Sequence, residues 1–202
     1  MILFLDTETT DLPDFNKRAS DPSQPHLVQL AAMLCELTGE VRASIKLIIK
    51  PDGWVISDEV AAIHGITQEM ALRVGVPEAF VAQLLKDLLK KQSLLIAHNL
   101  QFDKFLSRIA CRRYGLLSDS EDAWWKAMPG FCTMRETTQL CNLPGGRGGQ
   151  PKWPKLEEAY SCIFGELPVK SHDAMEDLVS CKRIYFYLRP VPKAVAEQKA
   201  LV

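Results

Sequence analysis

Short apolar runs and longer helical patterns alternate along this chain and predict an α/β fold. Residues 2–5 form an apolar run that ends at Asp6, as expected for a buried central strand. Two longer strands follow, and the short connection 38–40 between them suits an antiparallel hairpin. The candidate strands of the sheet are residues 2–5, 27–37, 41–49, 94–97 and 131–133.

Other segments have the periodicity of amphipathic helices. Ser57 suits a helix N-cap and Gly65 a helix C-cap, and apolar residues recur at helical spacing between Pro77 and Lys91. The predicted helices span residues 57–64, 77–91, 102–114, 134–140, 156–164 and 174–188. Residues 11–25, 118–130 and 145–154 are predicted as loops. We expect one domain over residues 1–190 and a short C-terminal tail at 191–202.

The composition indicates the cellular compartment of the protein but leaves its function open. The 202 residues are 47% apolar, and 24 Lys+Arg against 25 Asp+Glu leave no global basic field. Nucleic acid is still not excluded as a partner, because clustered carboxylates can cancel basic residues elsewhere. The six cysteines include no Cys-x-x-Cys pair, which favours free thiols over a disulfide framework. No secretion signal and no apolar run near the ~18–20 residues of a membrane span are visible, so we expect a soluble, cytoplasmic protein without a membrane partner.

Acidic residues recur where predicted strands end and helices begin. Asp6 and Glu8 are two residues apart, so in extended backbone they point to the same face and can ligate hard cations. Asp103 follows the strand 94–97, and Asp177 opens the last long helix. Each of these carboxylates could instead have a purely structural role, as a polar residue that ends a strand or as a helix-capping residue. His172 precedes Asp177 by five residues, about 500° of helix rotation, so it must lie at or before the helix N-terminus to face the same site.

Taken in order, these motifs form a specific series. A DxE after the first strand, an HNxxFD after a middle strand and an HxAxxD on the last helix resemble the DEDDh (DnaQ-like) 3′→5′ exonuclease family, from Ile2 to about Leu188. The sister branch has tyrosine four residues before the last aspartate, where this chain has Asp173, so that branch is excluded. The resemblance implies an RNase H-like α/β fold, with a mixed five-stranded sheet of three antiparallel and then two parallel strands, flanked by helices.

The resemblance also implies a two-metal-ion active site. Asp6, Glu8, Asp103 and Asp177 would hold two Mg²⁺ or Mn²⁺ ions, which together stabilise the attacking and leaving oxygens of a phosphodiester. His172 would be the general base. The expected activity is therefore the metal-dependent release of nucleoside monophosphates from 3′ ends.

Contacts with the 3′-terminal nucleotides are implied by the resemblance at five further positions. Thr9 would contact the terminal sugar, Leu12 would wedge at its base, and His64 and Phe102 would lie against the terminal nucleotides, while Asn99 orients the turn before Asp103. For Leu12 and Phe102 a core role stays open, and Asp11, where many members have glycine, weakens the case for Leu12. Basic residues in and after the glycine-rich loop are candidate phosphate contacts: Arg147, Lys152 and Lys155.

The expected substrate is the 3′ end of single-stranded or frayed DNA. An exoribonuclease is the alternative within the enzyme class, since the metal and histidine motifs serve both sugars. A catalytically idle nucleic-acid-binding module is disfavoured because all five catalytic positions are filled. A polymerase or other protein partner, the oligomeric state and the pathway, with DNA repair among the candidates, are left open by the sequence.

Overall fold

The computed structural model describes residues 1–168 and 174–191, and its strands form one mixed sheet. His172 and all but the first residue of the predicted tail lie outside these ranges. The strands are β1 (Ile2–Thr9), β2 (Leu27–Cys35), β3 (Val41–Lys50), β4 (Val76–Pro77), β5 (Leu94–Ala97) and β6 (Gly130–Cys132).

The order of the sheet is β4-β3-β2-β1-β5-β6. β1 pairs antiparallel with β2, and β2 pairs antiparallel with β3. On the other side of β1, β5 and β6 follow in parallel. The predicted arrangement of three antiparallel and two parallel strands is therefore confirmed. The predicted count of five is wrong by one, because the two-residue β4 adds to β3 at the edge.

Helices cover both faces of the sheet. Their ranges are α1 (Asp58–His64), α2 (Gln68–Val74), α3 (Glu78–Lys91), α4 (Leu100–Arg113), α5 (Asp119–Ala127), α6 (Thr133–Cys141), α7 (Leu156–Phe164) and α8 (Ala174–Leu188). The predicted loop 118–130 is wrong for residues 119–127 and for Gly130, which begins β6. It contains α5, which begins with a capping box between Ser118 and Glu121 and buries Trp125 completely. α2, which the pattern did not predict, begins at the N-cap Thr67.

β1 divides the core in two, because alternate side chains point to opposite faces. Ile2 and Phe4 pack against α8, whereas Leu3 and Leu5 join the larger cluster under α3 and α4. All four side chains are essentially inaccessible to solvent. The strand is therefore fixed from both sides, and the alternation continues into the polar residues that follow Leu5.

A buried carboxylate fixes the end of the long loop 10–26 to the helices. Glu78, at the start of α3, accepts hydrogen bonds from His26 Nδ1 (2.7 Å), Leu27 N (2.9 Å), Arg113 Nη1 (3.0 Å) and Tyr114 Oη (3.0 Å). Burial alone would raise the pKa of Glu78, but these hydrogen bonds and the Arg113 charge outweigh it and lower the pKa. The loop that follows β1 thus returns to β2 at a fixed point.

The cysteines are free, as the sequence predicted. Cys35, Cys111 and Cys181 are buried, and none of the six is in a disulfide. Among the helices of residues 1–168 and 174–191, none is long and apolar enough to cross a membrane.

Candidate active site

Two carboxylates lie inside β1, on the face that packs against α8. Asp6 and Glu8 continue the even-numbered series of Ile2 and Phe4, and both are half-buried. They lie within the strand and not beyond it, because β2 stays paired with β1 past Asp6 and as far as Thr9. Their common face agrees with the two-residue spacing, and it directs both carboxylates toward the N-terminal end of α8.

The first turn of α8 is fixed beside Glu8 by a glutamine of β2. Gln29 is paired with Glu8 across the strands, and its Oε1 accepts a hydrogen bond from Ala174 N at 3.3 Å. This bond satisfies one of the free amides at the helix N-terminus. Asp177, about one turn further along, is close enough to raise the pKa of both Asp6 and Glu8 by charge repulsion.

Asp103 reaches the same edge of the sheet from the opposite face. The Thr7 hydroxyl donates a 2.9 Å hydrogen bond to Asp103 Oδ1, and both residues are buried. Asn99 has a left-handed backbone (φ 68°), which asparagine tolerates better than most residues, and its carbonyl accepts from Phe102 N at 2.8 Å. Asn99 therefore shapes the turn into α4 through its backbone, and its side chain makes no capping hydrogen bond.

The carboxylates disfavour one another's charged forms. Burial is the largest cause that raises the pKa of Asp6 well above its usual range, and repulsion by Asp103, Glu8 and Asp177 adds to it. Burial and Asp177 raise the pKa of Glu8 to about 7. Burial also raises the pKa of Asp103, only partly offset by the hydrogen bond from Thr7. Burial is the largest cause at all three residues, and repulsion by other carboxylates adds to it in each case.

The chemistry of this donor set fits hard divalent cations. Within residues 1–168 and 174–191, no three His, Cys, Asp or Glu side chains are close enough together to hold a metal ion. The four residues that interact at this edge are nevertheless all carboxylates, the ligands preferred by Mg²⁺ and Mn²⁺. A cation would also offset the mutual repulsion of these buried groups.

A half-buried histidine fixes the end of β5 to the glycine-rich loop. His98 Nε2 lies 3.0 Å from the carbonyl oxygen of Pro154, and Nδ1 lies 3.0 Å from Thr133 Oγ1. Since a carbonyl only accepts, Nε2 carries the hydrogen and Nδ1 accepts from the threonine. Burial lowers the pKa of His98 to about 4, so the ring is neutral. The loop before α7 is thereby held beside the turn that leads to Asp103.

The remaining candidates differ in how they could meet a substrate. Leu12 is 77% exposed, which rules out its core role, whereas Phe102 is half-buried and packs partly against the main core. Thr9 is buried and donates its hydroxyl hydrogen to Asp11 O at 2.7 Å. His64 is 4% exposed, and its Nδ1 accepts from Ile66 N, so its Nε2 carries a hydrogen that no acceptor in the described residues receives.

A family model for exonucleases, that of the RNase T family, matches residues 3–185. This chain belongs to that exonuclease family. No protein of curated function matches it.

Solved structures of exonuclease I share the fold at low identity. E. coli Exonuclease I in complex with a dT13 oligonucleotide matches with a TM-score of 0.73 at 20% identity, over 98% of this chain and 42% of the other. The zinc-bound E. coli ExoI–ssDNA complex matches with a TM-score of 0.69 at 21% identity, over 94% and 40%. This chain thus spans less than half the length of these exonucleases.

Two residues of this candidate site were missed by sequence reasoning. Thr7 lies between the two carboxylates of β1 and holds Asp103, while Gln29 holds the first turn of α8. Gln29 had a signal in the sequence, since it is a polar residue inside the apolar run 27–35 and is 5% exposed. Thr7 had none, because threonine is common in strands.

Proposed function

We propose that this chain is a metal-dependent 3′→5′ exonuclease that releases nucleoside monophosphates from the 3′ ends of single-stranded DNA. The observation that carries the proposal is the interaction of Asp6, Glu8, Asp103 and Asp177, which come from three separate segments of the chain, at one edge of the sheet. Buried carboxylates are rarely gathered in a protein without a cation or a proton that compensates their charge.

Asp6, Glu8 and Asp177 would hold one Mg²⁺ or Mn²⁺ ion, and Asp103 would help to organise a second. When bound, the ions supply electrostatic stabilisation of the attacking and leaving oxygens during in-line displacement at phosphorus. The protein's own contribution is to present hard oxygen ligands at fixed positions. The hydroxyl of Thr7 fixes one of the carboxylates, and Gln29 fixes the helix that carries another.

His172 would accept the proton of the attacking water. The water oxygen forms the new bond to phosphorus, the bond from phosphorus to O3′ breaks, and the shortened strand leaves with a protonated 3′-hydroxyl. An unperturbed histidine, with a pKa near ~6.5, suits this role at neutral pH. His98 does not, because its ring nitrogens are both hydrogen-bonded and burial lowers its pKa to about 4.

The terminal nucleotide would lie between the loop after β1 and the start of α4. Leu12 is exposed and free to contact a base, and Phe102 offers part of its ring. The Nε2–H of His64 has no acceptor among the described residues, but it is buried, so contact with a substrate oxygen would require neighbouring side chains to move. Thr9 would use the lone pairs of its hydroxyl toward the sugar, while Asn99 shapes the backbone of the turn.

Single-stranded DNA is the substrate class we propose, because E. coli Exonuclease I forms complexes with dT13 and dA16 oligonucleotides. An exoribonuclease is the alternative, since carboxylates and a histidine do not distinguish the sugars. The test therefore compares both sugars directly.

The test follows product ladders from 3′-labelled and 5′-labelled dT13 and from an oligouridylate of the same length, with Mg²⁺, Mn²⁺ or EDTA. Wild type should release labelled mononucleotide at once from the 3′-labelled strand and shorten the 5′-labelled strand stepwise. Asp6→Asn and EDTA should both abolish this release. Asp119→Asn, a fully exposed carboxylate on α5, is the matched control and should keep wild-type rates.

Each other outcome has a defined meaning. Faster release from the oligouridylate would replace the DNA assignment by the exoribonuclease. Internal cuts, or tight binding without cleavage with either metal, would overturn the exonuclease proposal and favour a nucleic-acid-binding module.

A further inference from the structure

Three adjoining cavities cross the outer face of α4 and the loop before α7. Their volumes are about 280, 370 and 640 Å³. The first two share Gln101 and Lys104, and the second is also lined by Arg135, whose guanidinium lies over the ring of Trp153 in the third. We call this surface the α4 groove. Its principal lining residues are Phe15, Gln101, Lys104, Arg135, Arg147 and Trp153.

The most distinctive part of the α4 groove is Trp153, whose ring has the guanidinium of Arg135 on one face. Trp153 is 61% exposed, and Arg135 Cζ lies 5.7 Å from its ring centroid. Arg135 is itself held by a 3.2 Å hydrogen bond from Nη2 to Gln101 Oε1. An exposed indole with a cation on one face is an arrangement that suits stacking of a further planar group on the other.

The charges around Trp153 favour an anionic partner. Neither Arg135 nor Arg147 is paired with a carboxylate in the described part of the chain, whereas Lys152 is held by Glu158 at 2.6 Å. Glu136, which also lines the middle cavity, lies 4.0 Å from Arg189. The surface therefore offers two uncompensated guanidinium groups and an open aromatic face, the combination that binds single-stranded nucleic acid.

The α4 groove is fixed to the candidate active site at two points. Pro154, next to Trp153, is bound by His98, which follows β5 directly. Gln101 precedes Asp103 by two residues, which is about 200° around the helix. The two residues thus lie on opposite sides of the N-terminal turn of α4. A strand whose end is at the carboxylates would reach Trp153 by passing over that turn.

We propose that Trp153, supported by Arg135, is a stacking platform for a base upstream of the 3′ end, and that Arg135 and Arg147 contact the adjacent phosphates. The stacking proposal relies on the proposed function only for the direction in which the nucleic-acid strand runs. The platform contributes to binding of strands long enough to reach it and not to the chemical step.

The first test measures the affinity of fluorescently labelled dT13 by anisotropy in EDTA, which prevents hydrolysis. Trp153→Ala should weaken binding by about tenfold, because one base–aromatic stack is lost, and Trp153→Phe should retain most of the affinity. Trp124→Ala removes a tryptophan of comparable exposure (40%) that does not line the groove, and it should bind as wild type does. For a dinucleotide, too short to reach the platform, Trp153→Ala should hydrolyse with an unchanged kcat/KM.

The second test uses charge and fluorescence. Arg135→Gln should reduce the slope of log K against log salt concentration by about 0.7, the value for one lost phosphate contact on a single strand. Quenching of intrinsic fluorescence by dT13 should largely disappear in Trp153→Phe, which a purely structural role of the ring would not produce.

The two proposals fail in different ways. Wild-type affinity of Trp153→Ala for dT13, or an equal loss on the dinucleotide and on dT13, would overturn the platform. If the protein binds dT13 through Trp153 but hydrolyses no substrate, the platform proposal stands and the exonuclease proposal is overturned.

Discussion

Thr7→Val tests whether the orientation of Asp103 depends on a single hydroxyl. Valine has nearly the same shape, so the substitution removes only the donor of the 2.9 Å bond to Asp103 Oδ1. Both partners are buried, with 5% and 2% exposure, so water would not replace the lost donor. A hydrogen bond to a charged group contributes about 1.5–3 kcal/mol, which corresponds to roughly a 10- to 100-fold change. Losses of this size are typical when a hydrogen bond that orients a metal ligand is removed.

The assay measures initial rates of nucleotide release from 5′-labelled dT13 over a Mg²⁺ titration. Thr7→Val should lower kcat/KM by roughly 10- to 100-fold and shift the Mg²⁺ midpoint upward, and Thr7→Ser, which keeps the hydroxyl, should recover most of the loss. Thr137→Val is the matched control, since that buried hydroxyl donates to Thr133 O (2.7 Å) and Met134 O (3.2 Å), both within α6. Wild-type kinetics in Thr7→Val, or an equal loss in Thr137→Val, would refute the assigned role.

Three further predictions concern how the site is held in place. Gln29→Leu should lower activity and increase hydrogen exchange at the first turn of α8, because the Ala174 amide loses its acceptor. Gln29→Glu keeps an acceptor and should restore the slow exchange, whereas unchanged exchange in Gln29→Leu would contradict the assigned role. Glu78→Gln tests pH dependence: the folded-state pKa of Glu78 is lowered, so its contribution to stability is present above its ordinary pKa of 4.5 and is lost as pH falls through the folded value. The difference in urea midpoints between wild type and Glu78→Gln should therefore shrink on acidification below about pH 4.5, and a constant difference would argue against it. Gly75→Ala should lower the free energy of unfolding by about 1–3 kcal/mol in urea melts, because a Cβ there would meet the backbone of Ala71 and Lys50, and an unchanged midpoint would show that the backbone can move.

The regular elements were predictable where apolar spacing and caps agreed. The bounds of β5, α7 and α8 follow from the sequence because an apolar run or stripe is flanked by polar residues in each case. α5 was missed because its acidic, tryptophan-containing sequence looked like a loop. The capping box at Ser118 and Glu121 was nevertheless present, and it was a better guide than the overall polarity.

The carboxylates were predictable from spacing, but the contacts that orient them were not. Thr7 and Asp103 are 96 residues apart, and Gln29 and Ala174 are 145 apart, so no local pattern joins them. The additional strand β4 could not be predicted from the sequence either, because it is only two residues long and is defined by its pairing with β3. The contact between Arg135 of α6 and Trp153 of the loop before α7 likewise forms only in the fold.

The register of β1 connects the fold with the chemistry. Alternation places Asp6 and Glu8 on the face of α8 and Thr7 on the face of α4, so one three-residue stretch receives acidic residues from both sides of the sheet. The regular pairing with β2 is interrupted between Glu8 and Thr9, directly after the last carboxylate. Such an irregularity turns the chain out of the sheet without disturbing the residues before it. A slip of one residue would exchange the two faces and separate Glu8 from Asp177, so the antiparallel register with β2 is itself a condition for the site.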